Sequence, residues 1–158
     1  MINVLFVCLG NICRSPLAEA VFVSKANELG LSQNFRCDSA GTHDYHKGSL
    51  PDKRSIQVAK NNGINLTHKA RKVVLDDYHT FDYFFVMDPS VMRFLDQQKP
   101  LDAKAKLLYM RSFDPGAADS LEVPDPYYGE FSHFEEVYEM VEAASINLLN
   151  LYKNKLTW

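Results

Sequence analysis

Hydrophobic positions fall along this chain in short runs separated by stretches of helical spacing. Ile2 to Val7 is a hydrophobic run of the length and type that forms a buried strand. Pro16 to Gly30 has helical character and ends on a glycine stop. Phe35 to Ser39 predicts a second strand, ahead of the turn-rich stretch Gly41 to Pro51. Ser55 to Asn62 predicts a helix that stops at Gly63. Asp82 to Met87, containing Tyr83-Phe84-Phe85-Val86, predicts a strongly buried strand, Pro89 to Gln98 a short helix, and Ala105 to Met110 a fourth strand. In the final helix, from about Ser132 to Leu151, the residues Phe134, Val137, Val141, Ala144, Leu148 and Leu151 mark the buried face. Glu135, Glu136 and Glu139 near its start and Lys153 and Lys155 at its end suit the helix dipole.

Strands alternating with helices predict an α/β fold: a parallel sheet with helices on both faces, in one domain spanning residues 1–158. Such sheets bind ligands beyond the carboxyl ends of their strands, and Cys8 stands at the carboxyl end of the first. Asp114 to Gly129, rich in Pro, Gly and Asp, reads as one long loop, a feature that in compact domains is often functional.

Composition narrows the choice. The 158 residues are 46% hydrophobic, with 17 basic and 20 acidic side chains and a formal net charge of −3, which argues against a nucleic-acid binder. No apolar run is long enough to cross a membrane, and Ile2 to Val7 is too short for a signal peptide, so the expected location is the cytoplasm. The three cysteines, Cys8, Cys13 and Cys37, are too few for a disulfide scaffold and fit a reducing compartment.

The chemistry concentrates in Cys8-Leu9-Gly10-Asn11-Ile12-Cys13-Arg14-Ser15. Between a strand and a helix, with Ser15 as cap and Pro16 as first helical residue, this loop can point several N–H groups at one spot where the helix dipole adds positive potential. That spot suits a phosphate. A cysteine at a helix N-terminus near an arginine ionises below the free-thiol value of ~8.5, and a guanidinium fork holds two phosphate oxygens. Cys8 therefore reads as a nucleophile for phosphorus, Arg14 and the loop amides as charge stabilisers, and Ser15 as a donor to the thiolate. Asp125, between Pro124 and Pro126 on the long loop, is the best candidate for an acid that protonates the leaving group, and Tyr127 and Tyr128 can pack on an aryl ester.

Cys8 to Ser15 reads CLGNICRS and is followed by Pro16, while Asp125 to Gly129 reads DPYYG; with Asp38-Ser39-Ala40-Gly41, Phe81-Asp82-Tyr83 and Met87-Asp88 between them, the chain resembles the low-molecular-weight protein tyrosine phosphatases over its whole length. The resemblance implies a four-stranded parallel sheet and hydrolysis of phosphotyrosine through a phosphocysteine intermediate, without metal or organic cofactor. It assigns Cys8 as nucleophile, Arg14 as phosphate clamp, Asp125 as general acid and base, and Ser15 as the hydroxyl assisting the thiolate. Leu9, Gly10, Asn11, Ile12, Cys13 and Arg14 become the phosphate-binding loop. Asn11 keeps that loop in its strained shape, with Ser39 and His68 as supporting partners; apart from the resemblance, Glu19 and Asp38 read as counter-charges that can flank His68. Leu9, Ile12, Tyr45, Tyr127 and Tyr128 form the substrate pocket. Cys13 becomes the partner of Cys8 in a reversible disulfide, and phosphorylation of Tyr127 and Tyr128 is permitted. The implied partners are phosphotyrosine-containing proteins and inhibitory phosphate or vanadate-like anions, acting on a monomer.

Bland readings compete at other positions. Cys37 reads as a core residue, and Lys47, Lys53 and Arg54 as solvated charges near the pocket rim. Cys8 and Cys13 with His43 and His46 do not read as a zinc site, because the cysteine spacing is too wide and a metal would occupy the nucleophile. A thiol-linked arsenate reductase needs further cysteines, and residues 38–158 contain none. An arginine phosphatase typically carries threonine where this chain has Ile12. A sugar-transport phosphocarrier needs neither Arg14 nor Asp125, and a silent phosphotyrosine-binding module would be expected to have lost Cys8 or Asp125.

Overall fold

The computed structural model describes residues 1–158. Four strands, β1 (Ile2–Cys8), β2 (Phe35–Gly41), β3 (Tyr83–Val86) and β4 (Lys106–Tyr109), form one parallel sheet in the order β2-β1-β3-β4. Strand β1 is central, pairing Cys8 with Gly41 on one side and Val7 with Val86 on the other. Side chains alternate across a strand, so Val4, Phe6 and Cys8 join one core while Leu5 and Val7 join the other. Burial on both faces explains why β1 reads as an unbroken apolar run.

Two helices, α1 (Arg14–Glu28) and α5 (Phe131–Lys153), with α2 (Lys53–Asn61), cover the first face around Phe6, Phe22, Phe85 and Phe134. The second face holds the single turn α3 (Asp77–Thr80) and α4 (Pro89–Gln98), packed on Tyr78, Phe84, Val91 and Leu95. Short 3₁₀ turns lie at Ser32–Asn34 and Met110–Phe113. No helix is long and apolar enough to cross a membrane.

Boundaries differ from the expectation in instructive places. Helix α1 starts two residues early, at Arg14, with Cys13 as its cap residue and no side-chain cap. Ser15 is not the cap, because its hydroxyl is committed to Cys8 and Asn11, and Pro16 sits in the first turn, where a missing N–H costs nothing. The glycine stop is real: Gly30 has φ 69°, and Leu31 N–H reaches back to Ala26 O at 2.8 Å, closing the helix end. The fourth strand is shorter than expected, giving way at Met110 to a 3₁₀ turn. Turn α3 was not expected; buried Asp77 fastens it by accepting from Val74 N–H at 2.8 Å and from Arg71.

Candidate active site

The carboxyl ends of β1, β2 and β3 open to one edge of the sheet, and the residues leaving them build the site. Gly41 at the end of β2 runs so close that a Cβ there would lie 2.7 Å from Leu9 O, so only glycine lets the two backbones meet. Between β1 and α1 the chain turns through Asn11, whose φ of 57° is left-handed. Asparagine tolerates that conformation better than most residues, and here four partners hold it. Its Nδ2 donates to Ser15 Oγ at 2.8 Å and Ser39 Oγ at 3.1 Å; its Oδ1 accepts from Arg71 N–H at 3.0 Å and pairs with His68 Nε2 at 2.8 Å. Every hydrogen-bonding position of the buried amide is used.

The strained turn aims donors inward. Asn11 N–H donates to Cys8 Sγ at 3.3 Å, and Ser15 Oγ lies 3.0 Å from the same sulfur. The N–H groups of Leu9, Gly10, Ile12 and Cys13 make no hydrogen bond within the protein. Unpaired donors beside a helix start favour an anion. Arg14, only 2% exposed, completes the cradle. Its Nη1 is held from behind by Asp88 Oδ2 at 2.6 Å and Val123 O at 3.0 Å, while buried Nε has no partner. One edge of the fork therefore remains for the oxygens of a ligand.

Asp125 overhangs this cradle. Its Oδ2 is 3.6 Å from Arg14 Nη2, and its Oδ1 accepts from Tyr127 N–H at 3.1 Å. The carboxyl group is 40% exposed. A cavity of about 150 Å³ joins these groups, lined by Cys8, Leu9, Gly10, Ile12, Cys13, Arg14, Tyr45, His46, Asp125, Tyr127 and Tyr128. Tyr127 and Tyr128 meet edge to face with centroids 4.8 Å apart, and Tyr45 stacks on His43 at 4.9 Å. A flat ring can enter between such walls and bring a phosphate to Cys8.

Beneath the loop, Ser39 Oγ donates to Glu19 Oε2 at 2.6 Å, and His68 Nδ1 lies 3.5 Å from Glu19 and 3.7 Å from Asp38. Burial pushes the Glu19 carboxyl up to about 7 and His68 down from its ordinary value. Asn11 Oδ1 can only accept, so His68 Nε2 donates to it. The pair formed by His68 Nδ1 and the Glu19 carboxyl, 3.5 Å apart, can hold one further proton between them. Burial also pushes the Cys13 thiol up, with Asp52 adding to the effect, and Cys37 up to about 12.

The structure thus brings together every residue singled out for the loop, its support and the pocket. Tyr128 stands at the mouth rather than in the wall, at 95% exposure. Three residues stand in roles that the sequence did not suggest for them. Asp88 caps α4 by accepting from Val91 N–H at 2.8 Å while it holds Arg14; an Asp-Pro pair at a strand's carboxyl end was the available signal. His46 lines the cavity, although its ring was considered only as a metal ligand. Arg54 is not a free solvated charge: it bonds Asp52 and the carbonyls of Tyr127 and Gly129.

The description "low molecular weight phosphotyrosine protein phosphatase" belongs to the family model that matches residues 3–157. The chain belongs to that family. A low molecular weight phosphotyrosine protein phosphatase of Schizosaccharomyces pombe is 45% identical over 150 residues, covering 94% of this chain and 95% of its own. Among solved structures, a protein tyrosine phosphatase of Entamoeba histolytica with Hepes in its active site superposes with a TM-score of 0.92 at 39% identity, over 98% of this chain and 99% of that one. A Drosophila arginine phosphatase superposes with a TM-score of 0.89 at 30% identity, over 95% and 97% of the two chains.

Proposed function

We propose that this family member is a cysteine-dependent phosphatase that hydrolyses phosphotyrosine in proteins. The observation that carries the reading is the convergence of Cys8, the free edge of Arg14 and Asp125 on one cavity. The phosphate dianion sits on the loop amides and Arg14, and Cys8 Sγ attacks phosphorus in line with the ester oxygen. As the P–O bond breaks, Asp125 gives its proton to the phenolate. Water then attacks the phosphocysteine, Asp125 takes its proton back, and the sulfur departs with the Ser15 hydroxyl donating to it. The products are the tyrosine side chain and inorganic phosphate, and no metal or organic cofactor enters.

Ile12, branched and apolar, suits a flat aromatic ring better than the guanidinium of phosphoarginine. The depth of the cavity keeps a short phosphoserine from reaching Cys8. Inorganic phosphate and vanadate-like anions compete for the same cradle. The working unit is a monomer in a reducing, cytoplasmic compartment. Peroxide converts Cys8 to a sulfenic acid that the Cys13 thiol condenses with, releasing water and leaving a disulfide that added thiol reduces.

The test is turnover by wild type and Cys8→Ser on phosphotyrosine, phosphoserine and phosphoarginine substrates, with arsenate reduction measured alongside. The reading expects phosphotyrosine turnover alone, lost in Cys8→Ser, with inorganic phosphate still bound by that variant. Substantial hydrolysis by Cys8→Ser overturns the nucleophile, and faster turnover of phosphoarginine overturns the substrate class.

A further inference from the structure

Arg54 lies outside the cavity yet connects its two working loops. Asp52 caps α2, its carboxylate accepting Arg54 N–H at 2.8 Å, and the same carboxylate holds the Arg54 guanidinium through Nε at 3.0 Å and Nη2 at 2.9 Å. This pairing holds the Asp52 carboxyl below its ordinary value. The backbone N–H of Asp52 donates to Ile12 O, on the phosphate loop, at 2.8 Å. On its other side the guanidinium donates to Tyr127 O at 2.9 Å and Gly129 O at 3.1 Å, and lies over the Phe134 ring at 4.3 Å. The backbone of Tyr127 is therefore held on both sides: its C=O by Arg54, and its N–H by the Asp125 carboxylate.

The other flank of Asp125 has its own fastening. Val123 N–H donates to Met87 O at 2.7 Å, and Val123 O accepts from Arg14. Between these two clamps stand only Pro124, Asp125 and Pro126. Two prolines stiffen the segment but cannot place it, because neither has an N–H with which to bond the rest of the protein.

We infer that Arg54 is a positioning residue for proton donation, a strut through Asp52 that fixes the Asp125 loop at a set height above the phosphate loop. The inference rests on Asp125 being the general acid. It separates two properties a simple packing role would move together: anion binding, which belongs to the cradle, and proton delivery, which depends on the loop's height. Displacing a reacting group by about 1 Å costs roughly 100-fold in rate.

Arg54→Met removes the four side-chain hydrogen bonds and the guanidinium from over Phe134, and keeps an unbranched side chain at the position. Its kcat on phosphotyrosine is expected to fall by about 10- to 100-fold, with inhibition by inorganic phosphate unchanged within about twofold. The loss should grow with leaving-group basicity, being at least about threefold smaller on p-nitrophenyl phosphate than on phenyl phosphate. In an Asp125→Asn background the substitution should cost less than about twofold more, because both changes act through one proton. Arg54→Lys keeps the charge but has one nitrogen for four acceptors, and is expected between wild type and Arg54→Met. Equal losses on all esters, a parallel loss of phosphate binding, or a full multiplicative loss with Asp125→Asn overturns the inference. If Asp125→Asn itself shows no leaving-group dependence, the acid assignment falls and this inference with it. A normal Asp125→Asn beside a wild-type-like Arg54→Met overturns the strut alone.

Discussion

Asn11 and Arg14 at the floor of the cavity are almost wholly buried, whereas Tyr45 and Tyr128 at its mouth are 67% and 95% exposed. The floor is a closed hydrogen-bond network running from Cys8 through Ser15, Asn11 and Ser39 to Glu19 and His68. The mouth is three tyrosines and a carboxylate on loops, with a single backbone bond holding Asp125. The floor must meet the same tetrahedral anion in every substrate, so it is prearranged. The mouth meets a different peptide each time and must also exchange protons and products with solvent. Changes at the floor should therefore act on all esters alike, and changes at the mouth should tell one ester from another.

The sharpest division comes from Asp125→Asn, which keeps the shape of the mouth and removes its proton. Its kcat on phosphotyrosine should fall by about 10²–10⁴-fold with KM little changed. A tyrosine phenolate is a strong base and leaves poorly unprotonated, so the loss should shrink steadily as aryl leaving groups become less basic. A flat loss across an aryl phosphate series removes the acid from Asp125. Asp88 does not inherit the role, because both its oxygens are already bound, to Arg14 and to Val91 N–H.

Arg14→Lys attacks the floor instead. An ammonium cannot span two phosphate oxygens, nor reach both Asp88 and Val123 O as Nη1 now does. Turnover should fall by about 10²–10³-fold, equally for every aryl ester, and phosphate inhibition should weaken with it. If the loss depends on the leaving group, floor and mouth are not separable in this way. Asn11→Ala should be the floor's most destabilising change. It leaves Ser15, Ser39, His68 and Arg71 N–H each short of a partner and puts a Cβ-bearing residue without local hydrogen bonds at φ 57°. A loss of about 2–4 kcal/mol in unfolding free energy is expected, readable by urea titration; a neutral result would mean the turn holds its shape unaided.

The same division explains what was legible in the residues alone. The cradle is written in eight consecutive positions after a strand, and the DPYYG segment in five, so local order was enough to find Cys8, Arg14 and Asp125. Strand β1 was readable because two-sided burial leaves an apolar run. What escaped was tertiary. Ser15 looks like a helix cap until Cys8 and Asn11 are seen to claim its hydroxyl. Arg54 looks solvated because its carbonyl partners lie 73 and 75 residues away. His46 sits beside Tyr45 in a turn-rich stretch, with nothing local to say that it faces a cavity formed by Tyr127.

The smallest effect on turnover, and the finest probe of the floor, is Glu19→Gln read through pH. The Glu19 carboxyl is raised by burial to about 7 from an ordinary 4.5, so the folded state holds its proton more tightly than the unfolded chain. The resulting stability is fully present below pH 4.5 and is lost as pH rises through about 7. His68, lowered by burial, has the opposite sign: its contribution is present above its ordinary 6.5 and lost as pH falls through its lower folded value. Glutamine is neutral like the protonated acid, and its carbonyl can accept from Ser39 as Oε2 now does. At pH 5 the variant and wild type should melt together. At pH 8 the variant should be the more stable by roughly 1–2 kcal/mol, or about 2–8 °C, while kcat on phosphotyrosine stays within about threefold. Should Glu19→Gln melt well below wild type at both pH values, the proton belongs to His68 instead, and the floor rests on a buried ion pair whose breakage leaves the imidazolium without its counter-charge.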